Sequence, residues 1–166
     1  MGVSGVGKST VGEALARRLG WRFAEGDGFH SPAEIAKMHA GHPLTDDDRQ
    51  PWLQRVAGWI GAEEAAGENA VITCSALRRA YRDALRDGHP SVRFVHLVGN
   101  PALVADRLAH RHAHFMPPAL LGSQYDVLEP LGPDEPGVEV SADAPPDVVV
   151  DRVVRALGVA PGQPRA

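Results

Sequence analysis

Cysteine and lysine are scarce in this chain of 166 residues. The single cysteine, Cys74, excludes an internal disulfide and fits a reducing compartment. Of the 17 basic residues only Lys8 and Lys37 are lysine, so the place of each is informative. No apolar run is long enough to span a bilayer, and no segment reads as a signal peptide. The expectation is a soluble, cytoplasmic protein. A net charge of −4 and a pI near 6.0 argue against nucleic acid or an anionic membrane as a partner. There is no internal repeat. The length suits a single domain, set here at residues 1–158, followed by a Pro- and Gly-containing tail, 159–166, expected to be disordered.

What is present is concentrated at the start. Gly2-Val3-Ser4-Gly5-Val6-Gly7-Lys8-Ser9-Thr10 fits G-x-x-x-x-G-K-[ST], the phosphate-cradling P-loop. The glycines let backbone N–H groups crowd against phosphate oxygens. Lys8 is expected to reach the β/γ-phosphates and the Ser9 hydroxyl to ligate Mg²⁺. Val11, Leu15 and Leu19 recur every four residues. They predict a helix whose N-terminus aims its partial positive charge at the phosphates. A P-loop normally follows a buried strand. That strand is largely missing before Gly2, and the expectation is a native start upstream of Met1, with residues 1–4 forming only a stub at a gap in the sheet.

Downstream, strand and helix patterns alternate. This predicts an α/β fold with a three-layer parallel sheet and helices on both faces. Trp21–Ala24 reads as a short strand ending at Glu25-Gly26-Asp27-Gly28-Phe29-His30. Ligands in open α/β sheets sit beyond such strand ends. A polar turn explains the same residues, and both readings stand. Ser31-Pro32-Ala33-Glu34 is a capping box opening a helix to about Ala40. Asp46-Asp47-Asp48 reads as an acidic helix N-terminus or as a cation site, although calcium-loop spacing is missing. Arg49 beside it is a candidate anion clamp. A helix from Pro51 to about Ala66 places Trp52, Val56, Trp59 and Ile60 in the core. Asn69–Cys74 reads as a buried strand. The helix after it sets Leu77, Tyr81 and Leu85 against Arg78, Arg79, Arg82 and Arg86, a face that solvation alone explains. Arg78 stands apart because it lies at the strand end.

A strand at 92–98 leads to a helix opened by Asn100-Pro101, with Leu103, Val104 and Leu108 on its core face. His110, His112 and His114 suggest metal, but no Cys or carboxylate is interleaved and their spacing splits them. Arg107 and Arg111, one turn apart, are placed to close over phosphates as a lid. A helix over 116–128, a strand at 138–141 and a helix from Pro145-Pro146 complete the chain.

The whole chain resembles the gluconate kinase (gluconokinase) family of small P-loop kinases, related in fold to the nucleoside-monophosphate kinases. The matching stretches are the P-loop, Glu25-Gly26-Asp27 with His30, Lys37-Met38 with Gly41, and Cys74-Ser75-Ala76-Leu77-Arg78 with Tyr81-Arg82-Asp83. Most specific is Pro43-Leu44-Thr45-Asp46-Asp47-Asp48-Arg49 with Pro51-Trp52-Leu53. Arg107, Arg111, His114-Phe115, Ser123-Gln124 and Leu128-Glu129-Pro130 follow in the same order. The resemblance implies ATP-dependent phosphorylation of D-gluconate to 6-phospho-D-gluconate, with Mg²⁺, commonly in a homodimer. Catalytic residues are then Lys8, Asp27, Arg107 and Arg111. Gly2 to Thr10 bind ATP. Asp27, His30, Arg49 and Arg78 bind substrate, Ser9 holds the metal and Glu25 a metal-bound water. It also implies an acceptor-binding insertion at about 30–60 and a lid at about 107–125. Val6 and Arg78 depart from the usual pattern, and no carboxylate closes the strand at Thr73-Cys74. A related shikimate or sugar-acid kinase, and a non-catalytic nucleotide-binding protein, remain as alternative functions.

Overall fold

The computed structural model describes residues 1–109 and 121–161. The helices are α1 (Lys8–Leu19), α2 (Pro32–His39), α3 (Asp46–Ala65), α4 (Arg79–Arg86), α5 (Pro101–Ala109), α6 (Leu121–Val127) and α7 (Pro146–Leu157). The strands are β1 (Arg22–Glu25), β2 (Ala70–Thr73), β3 (Phe94–Val98) and β4 (Gly137–Ser141).

The sheet is parallel but divided. β1 pairs with β2 in the register Phe23 to Val71, and β3 pairs with β4 in the register His96 to Glu139. Between the pairs lies a single residue of ladder. The Met1 amino group donates to the Val95 carbonyl, and the Leu97 N–H donates to the Met1 carbonyl at 3.0 Å. That is the parallel pattern around His96. Gly2 N–H then donates to the Ser75 carbonyl at 3.1 Å, beyond the end of β2. The stub expected at the sheet gap is therefore one residue long and joins the two halves.

Side chains alternate across the strands, as the pleat requires. Val71, Val95 and Leu97 face one core with α1, α5 and α7, while Ile72, Cys74 and Phe94 face a second with α3 and α4. α1 packs on α7, and α3 packs on α4, so helices cover both faces. Val56, Val104 and Val153 are fully buried, each stabilising by about 1.5–3 kcal/mol.

Several expectations change. α3 begins at Asp46 rather than Pro51, because Thr45 caps it reciprocally with Asp48 and Pro51 is carried inside the helix. The acidic run is thus the first turn of a helix, where the dipole favours it. Among the described residues no group of three His, Cys, Asp or Glu is placed to hold a metal ion. Leu103, assigned to the core face of α5, is 37% exposed; Val104 and Leu108, one turn apart, take that face. Arg82, read as part of a solvated face, is fully buried. Its guanidinium pairs with the Glu135 carboxylate and donates to the carbonyls of Ala76, Leu77, Glu129 and Pro130. Val159, placed in the tail, packs against the first core. His110, Arg111, His112, His114, the start of the predicted 116–128 helix and residues 162–166 of the tail lie outside the described residues.

Candidate active site

The phosphate end is made of main chain. Gly2, Gly5 and Gly7 have φ of 136°, 81° and 105°, conformations that side chains disfavour. A Cβ on Gly5 would stand 3.0 Å from the Val104 carbonyl oxygen, so the loop is pressed onto α5. A Cβ on Gly7 would meet nothing within 4 Å. Gly7 is the N-cap of α1, where amide dipoles converge. The first turn of α1 carries no acidic side chain. These features fit a bound phosphate chain. Val6 is buried, consistent with a position that offers only its backbone. The Lys8 ammonium donates to the Val3 carbonyl at 3.0 Å. The Gln124 side chain on α6 accepts from the Ser4 N–H at 2.6 Å, which brings the C-terminal end of the predicted lid segment directly onto the loop.

Asp27 sits in a short 3-10 helix, Gly26–Phe29, that leaves the carboxyl end of β1. Gly26 is pressed against β2: a Cβ there would lie 2.0 Å from the Thr73 carbonyl oxygen. Its own carbonyl accepts from the Trp52 indole N–H at 2.8 Å. These two contacts fix Asp27 between the sheet and α3. Asp27, Lys8 and the Met1 amine all act electrostatically on Cys74, so the four groups share one neighbourhood. Burial pushes the Cys74 thiol up to about 12, and the Asp27 carboxylate adds to the rise. Burial, then Lys8, draw the Met1 amine down to about 5. Glu25, next to Gly26, accepts from the Thr73 hydroxyl at the end of β2.

A second region, between α2, α3 and α4, is made of side chains that hold one another. His30 stacks on Trp52 with ring centroids 4.6 Å apart and meets Glu34 at 2.9 Å. Glu34 also accepts from the Ser31 N–H and from Arg55 of α3. Burial works to raise the Glu34 carboxyl, but Arg55, the Ser31 N–H and His30 outweigh it and hold it at about 2. Lys37 of α2 donates to Asp48 of α3 at 2.5 Å, and this contact holds the Asp48 carboxyl well below the usual carboxylate range. Arg49 donates to the Leu44 carbonyl, and its guanidinium lies over the Tyr81 ring at 5.6 Å. Arg78, at the N-cap of α4, donates to Asp46 at 2.7 Å.

The structure therefore brings Lys8 and Asp27 into one neighbourhood, and gathers Arg49 and Arg78 around Asp46. Arg107 on α5 donates to the Ala142 carbonyl at 3.3 Å, just past β4. Ser9 is the second residue of α1. Sequence reasoning missed that Asp46 and Tyr81 join Arg49 and Arg78 in one cluster. The signal available for Asp46 was its place three residues before Arg49, one helical turn.

A family profile described as an AAA domain matches residues 1–131. A gluconokinase of Gluconobacter oxydans (strain 621H) is 50% identical over 155 residues, spanning 93% of this chain and 87% of the relative. The chain belongs to the gluconokinase family. Solved structures agree with that placement. A sugar kinase from Janibacter sp. HTCC2649, in an unliganded structure, superposes with a TM-score of 0.91 at 49% identity, covering 97% of this chain and 93% of that one. A gluconokinase from Sinorhizobium meliloti 1021 gives 0.82 at 45% identity, covering 95% and 89%. Small P-loop kinases of this family carry an α/β fold, and this gluconokinase-family chain keeps it across the divided sheet.

Proposed function

We propose that this chain transfers the γ-phosphoryl group of ATP to the terminal hydroxyl of D-gluconate, giving 6-phospho-D-gluconate and ADP. The observation that carries this reading is the path of Cys74–Arg78. It touches the P-loop at Ser75 through Gly2 and ends at Arg78 beside Arg49. A phosphate cradle and a pair of guanidiniums suited to a carboxylate are thus joined by five residues.

Gly2 to Thr10 bind the ATP phosphates, and Asp27 takes the proton from the attacking hydroxyl oxygen. That oxygen forms a bond to the γ-phosphorus as the bond to the β–γ bridging oxygen breaks, and ADP leaves with the electron pair. Lys8 moves from the Val3 carbonyl to the phosphates. With Arg107 and Arg111 it offsets the charge on the transferring group, the main catalytic requirement here. Ser9 would hold Mg²⁺, with Glu25 supporting it from the end of β1, and the ion would offset charge on the phosphate oxygens. Arg49 and Arg78 take the gluconate carboxylate, and His30 a hydroxyl. The catalytic domain is residues 1–158, with 30–60 holding the acceptor and 107–125 forming the lid. A cytoplasmic homodimer is the assembly expected, and light scattering of the purified chain measures it.

ADP release, coupled to a spectrophotometric readout, tests the reaction over a panel of sugar acids and shikimate. D-Gluconate is expected to exceed every other acceptor in kcat/KM by about 100-fold or more, because unpaired buried polar groups penalise a wrong acceptor. No turnover of gluconate sinks the proposal.

A further inference from the structure

Asp46 is the first residue of α3, and its carboxylate is shared by groups from two helices. Arg78 donates to Oδ2 at 2.7 Å. The Tyr81 hydroxyl of α4 donates to Oδ1. Arg49 of α3 stands 3.9 Å from Oδ1 and 3.4 Å from the Tyr81 oxygen. The cluster contains two guanidiniums and one carboxylate, leaving one net positive charge, the complement of a single acceptor carboxylate. The Asp46 side chain is 55% exposed, so each ion pair by itself stabilises the fold little. What the shared carboxylate fixes is direction. It ties the first turn of α3 to the first turn of α4 and sets where each guanidinium fork points.

We propose that Asp46 is a positioning residue of the acceptor site: it sets the spread between Arg49 and Arg78 that receives the acceptor's carboxylate, without itself touching the acceptor. This deepens the reading given above and rests on it. Tyr81 serves the same end, because its hydroxyl bonds Asp46 and its ring supports Arg49. Burial, followed by the bond to Asp46, raises the Tyr81 phenol, which keeps it a donor.

The test is steady-state kinetics on four proteins: wild type, Asp46→Asn, Arg78→Ala and the double variant. Asp46→Asn is expected to raise the gluconate KM about tenfold, with kcat and the ATP KM unchanged within about twofold. The double variant should lose less than the sum of the two single losses, since Asp46 acts through Arg78 and Arg49 and not on the acceptor itself. Asp46→Glu should restore part of the loss, and the melting temperature of Asp46→Asn should stay within about 2 °C of wild type. An unchanged KM overturns the proposal. So does a lowered KM, which would make Asp46 a competitor for the arginines. Additive losses in the double variant also overturn it, because they mean an independent contact with the acceptor. Wild-type turnover with any of these results sinks this inference alone. Absent turnover and absent gluconate binding by wild type sink the underlying reading as well.

Discussion

At the phosphate end, Gly2, Gly5 and Gly7 present main-chain groups, and their shape follows from backbone angles that other residues resist. At the proposed acceptor end, α2, α3 and α4 present charged side chains whose directions follow from one another: Lys37 with Asp48, Arg55 with Glu34, Arg78 with Asp46. The first end is local, built within nine residues. The second is assembled from contacts 11, 21 and 32 residues apart in the chain. A main-chain site fails all at once when a side chain intrudes. A meshed site loses affinity by degrees, because each partner is held by several others.

The largest effect should come where the two ends meet. Asp27→Asn is expected to lower kcat by about 100- to 10,000-fold while the ATP dissociation constant stays within a few-fold. Equal losses in both would assign Asp27 to nucleotide binding and blur the division. Gly7→Ala comes next. Its φ of 105° adds strain of about 1–3 kcal/mol, seen as a lower melting temperature, and shifts the loop backbone that presents its amides. ATP affinity should fall about 30-fold or more, with gluconate affinity retained. Arg49→Lys should raise the gluconate KM by about tenfold at unchanged ATP KM, because the ammonium loses the planar fork and the stacking on Tyr81.

The smallest effect concerns the mesh alone. Glu34 is held at about 2, below its ordinary 4.5, so its folded pKa is depressed. Its contribution is fully present above pH 4.5 and is lost as pH falls from 4.5 through 2. Glu34→Gln should therefore destabilise the chain by about 1–2 kcal/mol at pH 7 in denaturant titrations, and the gap to wild type should close toward pH 2. A gap that persists at low pH would mean that the loss is one of packing rather than charge.

How much was legible in the sequence follows the same division. The P-loop could be read directly, because a run of glycines followed by Lys8-Ser9 states its own backbone. Asp27 could be read as the residue after a short strand. Arg49 and Arg78 stood out by position, but their meeting at Asp46 depends on α3 packing on α4, which no local pattern encodes. Arg82 misled for a related reason. By helical period it belongs with Arg79 and Arg86 on the polar face, yet the loop carrying Glu129 to Glu135 folds over it and supplies acceptors about 50 residues away. The carbonyl of Ala76, a non-glycine residue at φ 42°, is one of those it holds. The onset of α3 was misplaced because Pro51 reads as a first-turn residue, whereas the Thr45–Asp48 box sets the start earlier.

The two lysines give the molecule a simple chemical address. Lys8 lies in the phosphate loop on the Val3 carbonyl, and Lys37 joins the two helices of the acceptor end through Asp48. An amine-selective acylating reagent therefore finds two side-chain targets, and the 15 arginines add none. Peptide mapping after such labelling reads out the two separately: protection of Lys8 by ATP tests its proposed place on the phosphates, and rearrangement of α2 against α3 changes the yield at Lys37.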